Sequence, residues 1–360
     1  MLIVCIAGIA YCAIALFALV RFLRRPQPNT ARGTGVTILK PIHGLEVELF
    51  ENLRSFCDQD YPRYQVIFGV QRTDDPAIEV IQRVIACFPE RDLTLVVDGR
   101  RASGNPKVAN LANMIDRAKY ELLFIADADM RVDRRYLAAV GAEFEDDGVG
   151  AATCLYAGVP RGGLASQLAA LHFNDQFAPS VLVATLAGPP RYCFGSTMAV
   201  RRSALEAIGG IAALSPYLAD DYMLGALISA HGYHVALSRY VVRNVVAEPS
   251  LAALLQHELR WARTIRSVQT VGYVFSFVTF PLPFAVMWVA FAATNATAWA
   301  ALAITLALRT AMHFTARSAY GTGESPPAWL IPLRDCLGLA VWAMGLFGNK
   351  ATWRGEEVST

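Results

Sequence analysis

Glu121-Leu122-Leu123-Phe124-Ile125-Ala126-Asp127-Ala128-Asp129-Met130 is an apolar run that ends abruptly in two carboxylates one residue apart. A strand buried on both faces of a parallel sheet reads as a continuous apolar run rather than an alternation, and this stretch reads so as far as Ala126. Asp127 and Asp129 then fall at the strand's carboxyl end, where open α/β sheets place their ligands. Positions i and i+2 of an extended backbone share one side. The two carboxylates can therefore hold together a hard divalent cation such as Mg2+ or Mn2+, which in turn holds phosphate oxygens. Asp-x-Asp alone is a short pattern, and a strand followed by an ordinary acidic turn reads the same way.

Outward from this stretch, short apolar runs alternate with helical patterns. Strands are expected at 36–39, 65–70, 93–97 and 149–155, and helices at 47–57, 77–88, 107–118 and 134–144. Such alternation implies βαβ units around a mostly parallel sheet. The second half is less regular, with helices expected at 164–177, 222–230 and 251–268, and one or two strands at 235–246. The uncharged stretch 177–190 suits the underside of the core or a membrane surface.

Of 360 residues, 54% are hydrophobic and 17% charged, more apolar than an ordinary soluble protein. The excess sits at the two ends. No charge occurs from Leu2 to Val20, and Arg21, Arg24 and Arg25 come at once after it. About 20 apolar residues cross a bilayer. With no basic region before it and no small-residue cleavage site after it, 2–23 reads as an uncleaved transmembrane anchor. The basic cluster places the adjoining domain in the cytoplasm. Residues 24–35 are a Pro/Gly-rich linker, 36–250 a cytoplasmic catalytic domain, 251–267 a basic interfacial helix, 268–349 C-terminal membrane segments and 350–360 a tail. The C-terminal block suggests about three spans, the first kinked or re-entrant at Pro281 and Pro283. Parity and the flanking Lys350 and Arg354 disagree about where the C-terminus lies. A net charge of +2 points to no nucleic-acid partner, and seven scattered cysteines without a C-x-x-C pair exclude zinc-ligand spacing.

Two further acidic pairs stand out. Asp74 and Asp75 come after the strand ending at Val70, and Asp220 and Asp221 precede the helix expected from Tyr222. Each pair is also explained by helix capping. Gly104-Asn105-Pro106-Lys107 opens another helix, which offers N–H groups and an ammonium to an anion, or is simply a helix start. His257, Arg260, Arg263 and Arg266 recur at three-residue intervals and line one helix side with basic residues, either for lipid headgroups or for water.

Taken in order, Leu39-Lys40-Pro41-Ile42-His43-Gly44, Asp60-Tyr61-Pro62, Val70 to Ile78, Asn105-Pro106-Lys107, Asp127-Ala128-Asp129, Asp220-Asp221-Tyr222 and Arg260-Trp261 resemble the ceramide glucosyltransferase family, glycosyltransferase family 21. Its bacterial branch associated with hopanoid biosynthesis is most similar around 193–197 and 257–266. The resemblance implies an α/β GT-A (nucleotide-diphospho-sugar transferase) domain with one N-terminal and about three C-terminal transmembrane helices. It also implies inverting transfer of glucose or N-acetylglucosamine from a UDP-sugar donor to a lipid hydroxyl, hopanoid or ceramide, at the bacterial inner membrane. By the same resemblance, Asp75 and Asp74 contact the donor nucleoside, with Lys107 also on the donor. Asp127 and Asp129 hold Mg2+ or Mn2+ on the diphosphate, Asp221 is the general base, and Arg260 and Trp261 complete the site. Two features depart from the family: His257 opens the pattern that otherwise begins with Arg or Gln, and Gln176-Phe177-Ala178-Pro179 stands where the animal enzymes carry His-Pro. Rival readings are a polyprenyl-phosphate sugar transferase, a polysaccharide synthase and a non-catalytic membrane binding protein.

Overall fold

The computed structural model describes residues 1–26, 33–100, 104–321, 324–348, 350–353 and 356–359; half of the expected linker, 27–32, lies outside them. In chain order, α1 (Leu2–Leu23) precedes β1 (Val36–Pro41), α2 (Leu49–Cys57), β2 (Tyr64–Val70), α3 (Ala77–Ala86) and β3 (Asp92–Val97). Then come α4 (Pro106–Ile115), β4 (Leu122–Ala126), β5 (Met130–Arg131), α5 (Tyr136–Gly141) and β6 (Val149–Pro160). α6 (Leu164–His172) runs through a π-turn at Phe173–Phe177 into α7 (Ala178–Ala184), followed by β7 (Thr197–Arg201), α8 (Arg202–Ala207), α9 (Asp220–Ala230) and β8 (His234–Val246). The remainder is α10 (Leu251–Val268), α11 (Thr270–Phe275), α12 (Pro281–Phe291), α13 (Ala296–Tyr320), α14 (Ile331–Gly345) and a hairpin of β9 (Lys350–Trp353) and β10 (Glu356–Ser359). Two compact units result. One contains Met1–Arg24, Ala157–Ala187 and Val246–Thr360; the other contains Arg25–Tyr156 and Gly188–Val245. The segment 157–187 thus groups with the apolar ends, although it falls inside the 36–250 stretch expected from the sequence to be one domain.

The second unit is built on an eight-stranded sheet in the order β3-β2-β1-β4-β7-β6-β8-β5. The first four strands are parallel, as the alternation of elements requires. β7 runs antiparallel to β4, β6 antiparallel to β7, and β5 antiparallel to β8. The expectation of a mostly parallel sheet therefore holds for one half only. β7 and the short α8 after it are not among the elements expected from the sequence. β7 has only five residues, too few to carry a clear pattern.

Side chains alternate between two apolar layers. Leu122, Phe124 and Ala126 join one cluster with Ile38, Val66 and Phe68, while Leu123 and Ile125 join the other with Leu39 and Ile67. β4 is buried throughout, so the continuous apolar run at 122–126 is an interior strand, the one at which the parallel half meets the antiparallel half. Full burial of each such side chain contributes roughly 1.5–3 kcal/mol.

In the first unit, α1 has 22 residues and a mean hydropathy of 2.7, and no charge interrupts it before Arg21. Ile3, Ile6 and Phe17 on α1, Phe291 on α12 and Phe347 after α14 all point outward, the pattern of a surface facing lipid. Among the described residues, α1 alone is long and apolar enough to cross a bilayer as one helix. The segments 270–279 and 281–291 are long and apolar enough only as a pair bent by 54°, the form of a broken span or a re-entrant loop, where the sequence suggested about three spans in the C-terminal block. Pro281 sits at the break, where a missing N–H and a fixed φ end one helix and start the next.

Helices α13 and α14 carry charges that the unit buries. Arg309 donates from Nη2 to Asp335 Oδ1 at 2.5 Å and from Nε to Oδ2 at 3.2 Å, and from Nη1 to the Asp175 carbonyl at 2.8 Å in the π-turn. Arg334 donates to both oxygens of Glu258 on α10, at 2.6 and 2.8 Å. The basic residues of α10 have local uses too: Arg266 donates to the carbonyls of Leu346 and Gly348, both at 2.5 Å, and so caps the end of α14. Asp335→Ala strands the buried Arg309 guanidinium and is expected to cost about 3–5 kcal/mol, read as a large fall in melting temperature in detergent. An unchanged melting temperature would show that the guanidinium finds water.

Candidate functional site

The candidate residues converge where β4 ends. Lys107, in the first turn of α4, places Nζ 2.7 Å from Asp127 Oδ1 and 3.9 Å from Asp220 Oδ2. It also lies 3.5 Å from the carbonyl of Gly195. α4 is held in this pose by its cap. The Asn105 side chain accepts from the N–H groups of Lys107 and Val108, and its amide donates to Asp220 Oδ1 at 3.1 Å and to the Tyr217 carbonyl at 3.1 Å. Gly104, with φ +107, is required there, because a Cβ would lie 2.2 Å from the Ser215 carbonyl. The two N–H groups that the sequence offered to an anion are thus taken by Asn105, and the ammonium faces carboxylates.

Asp220 and Asp221 do not cap α9 with their side chains; they form its first turn, with Ala219 at the cap position. Carboxylates in a first turn are favoured by the helix dipole. Asp221 Oδ1 accepts from the N–H of Tyr222 at 2.8 Å, and its Oδ2 lies so close to Gly195 that a Cβ on that glycine would come within 3.0 Å. Burial, with Asp220 adding like charge and Lys107 opposing, pushes the Asp221 carboxyl up to about 6. Burial also raises Asp220, against the pull of Lys107. Lys107 is itself pulled down by burial, but Asp127 and Asp220 outweigh this and hold it above the ordinary lysine range.

Asp129 lies one step further along the turn. Its backbone oxygen accepts from the N–H of Val245 at 2.9 Å and its Oδ2 from the Asn244 amide at 3.3 Å. Burial, then the Asp127 charge, pushes its carboxyl up to about 7. The opposing charge of Lys40 offsets this only in part. Among the described residues no group of three or more His, Cys, Asp or Glu side chains is placed to hold a metal alone.

The other pairs sit differently. Asp75 is buried and committed to backbone: it accepts from Gly44 N–H at 3.0 and 3.1 Å and from Ala77 N–H at 2.9 Å, the last supporting the capping explanation. Asp74 is exposed and pairs with Arg72 at 2.6 Å. Arg260 and Trp261 belong to the first unit. There Trp261 packs against His257 at 4.1 Å, Phe173 at 5.4 Å and His172 at 6.0 Å between ring centres. His257, the residue that departs from the family pattern, donates from Nδ1 to Glu248 Oε1 at 2.9 Å.

Two contributors carried no assigned role in the sequence. Asn105 is recognisable only as a cap before proline, and its bond to Asp220 spans 115 residues. Lys40 is wholly buried at the end of β1, with Nζ 2.5 Å from the Asp127 carbonyl. The signal for it was a lone cation closing an apolar strand.

The family model of Glycosyl transferase family 21 matches residues 1–360. The chain belongs to that family. It is 27% identical over 232 residues to ceramide glucosyltransferase 3 of Caenorhabditis elegans, covering 64% of this chain and 50% of the relative. It is 25% identical over 249 residues to ceramide glucosyltransferase 1 of the same organism, covering 69% and 53%. The chain thus spans about half the length of these curated relatives. A mannosyltransferase from Pyrobaculum calidifontis, in complex with GDP-Man and Mn2+, superposes with a TM-score of 0.56 at 20% identity over 94% of this chain and 99% of its own. That likeness shows the fold, the mixed α/β GT-A architecture of glycosyltransferases.

The raised Asp221 carboxyl has a consequence for stability. Between about pH 4 and pH 6 the folded state binds more protons at this site than the unfolded chain, so stability falls as pH rises through that window. Asp221→Asn removes the slope. With metal chelated, this variant is expected to melt a few degrees above the parent at pH 7.5, and the gap is expected to close below about pH 4. An equal or lower melting temperature at pH 7.5 would show that Asp221 is solvated.

Proposed function

We propose that this chain moves a single hexose from a UDP donor to a hydroxyl of a bilayer lipid, with inversion at the anomeric carbon. The observation that carries this reading is the placement of Asp221, a carboxyl raised towards neutrality, around the same lysine as Asp127 at the end of β4. A lipid hydroxyl is weakly acidic and attacks only as its proton leaves. A base with a pKa near the working pH supplies about 10² to 10⁴ in rate. Asp221 takes that proton as the hydroxyl oxygen bonds to the anomeric carbon and the bond to the UDP phosphate oxygen breaks. One displacement inverts the centre.

The donor set of the turn fits a divalent cation. Asp129 stands beside the like charge of Asp127, which with burial raises its carboxyl more than the opposing Lys40 lowers it, and two carboxylates with diphosphate oxygens are a usual Mg2+ or Mn2+ set. When bound, the cation would stabilise negative charge on the departing diphosphate. Lys107 orients Asp127 and screens the carboxylates of α9 from it. Asp75 supports the loop at His43 and Gly44, and with Asp74 would border the nucleoside. The roles of Arg260 and Trp261 near the diphosphate and acceptor rest on their motif alone.

The outward apolar side chains of the first unit suit an acceptor that stays in the bilayer, and the positively charged end of α1 suits a catalytic face in the cytoplasm of a bacterial cell. The names of the curated relatives favour glucose and ceramide over N-acetylglucosamine and a hopanoid.

Purified protein with Mn2+, UDP-glucose and ceramide-containing vesicles should release UDP and form a glycolipid. The rate should fall as pH drops through about 6, because the base must be ionised. Asp221→Asn should lose about 10²-fold or more in kcat with little change in the KM for donor. Full activity in that variant would favour a phosphate acceptor, which needs no strong base, and would contradict the proposal.

A further inference from the structure

Lys40 is out of place by composition. Val36, Ile38 and Lys40 share one face of β1, and the first two pack in the apolar layer that includes Phe56 and Phe124. A methionine would fill the position without burying a charge. The ammonium instead lies 3.8 Å from the centre of the Phe56 ring and donates to the backbone oxygen of Asp127 at 2.5 Å. An unmet buried ammonium is costly, so the contact it does make carries the explanation.

That oxygen is the hinge of the acidic turn. It also accepts the N–H of Met130, at a longer 3.3 Å, and this bond closes the turn from Asp127 to Met130. The N–H of Asp127 is held by the Ser196 carbonyl at 3.3 Å, again long. Asp129 is held from the other side by Val245 and Asn244. Lys40 therefore supplies the shortest bond to the backbone between the two carboxylates. We propose that Lys40 is a positioning residue: it pins the Asp127 carbonyl from within the apolar layer so that the Asp127 and Asp129 side chains are presented together to a divalent cation and diphosphate. This rests on the reading of the turn as the cation and diphosphate site.

The test uses the full chain in detergent with Lys40→Met, which keeps the bulk and removes the donor. Hydrogen exchange at the amides of residues 127–131, measured without metal, should quicken by about tenfold, the worth of one hydrogen bond, while exchange in β2 and α9 stays unchanged. Mn2+ affinity and the KM for the donor should weaken by a similar factor, with the KM for the lipid unmoved. Unchanged exchange at 127–131 together with unchanged Mn2+ affinity in the folded variant would overturn the proposal. If Lys40→Met does not fold, Lys40→Arg, which keeps a donor, decides: near-parental exchange and affinity support the tie, and a loosened turn overturns it. Absence of Mn2+ binding in the parent chain would instead sink the proposed function, and the exchange measurement would still decide what Lys40 does.

Discussion

The contact between Lys107 and Asp127 is the constraint on which the candidate site depends. Asp127, Asp220 and Asp221 come from segments far apart in sequence, and gathering them in a partly buried place is unfavourable without a cation among them. Lys107 provides it at 2.7 Å from Asp127 and 3.9 Å from Asp220. Its own position is set by the Asn105 cap, whose amide donates to Asp220. One short sequence, Gly104-Asn105-Pro106-Lys107, therefore starts a helix, ties α9 and balances the acidic turn. The stability that this arrangement gives up is visible in the raised carboxyls of Asp129 and Asp221. Functional sites commonly hold such strain because the chemistry needs groups poised to change charge.

The parallel half of the sheet was legible because β1, β2 and β4 are buried on both faces, and the resulting apolar runs do not read as amphipathic helix. β4 begins and ends where its run does, at Leu122 and Ala126. The antiparallel half was not legible, since strand direction depends on partners that the local pattern does not name. β7 pairs with β4 residue for residue, from Leu122 with Arg201 to Ala126 with Thr197, yet nothing in its five residues marks that pairing. The site divides in the same way. Asp127 and Asp129 could be found from their place at a strand end, whereas the hold of Asp75 on the Gly44 N–H arises from loop closure across 31 residues.

Charge in the apolar ends of the chain obeys a different logic. The Arg334-Asp335 pair interrupts the otherwise apolar stretch 328–348. In the folded unit its two members are used separately, Asp335 for Arg309 and Arg334 for Glu258, with both pairs fully desolvated. Such pairs add less to stability than to uniqueness, because any register that parts them strands a charge. They bind α10, α13, α14 and the π-turn at 173–177 into one arrangement.

The central claim is that the chain glycosylates a bilayer lipid through Asp221. Mass spectrometry of total lipids addresses it most directly, comparing a strain lacking the chain with the same strain complemented by the parent chain or by Asp221→Asn at equal protein level. The account predicts one glycolipid class missing from the deletion, restored by the parent and not by the variant, its mass naming both sugar and acceptor. An unchanged glycolipid profile in the deletion, or full restoration by Asp221→Asn, would contradict it.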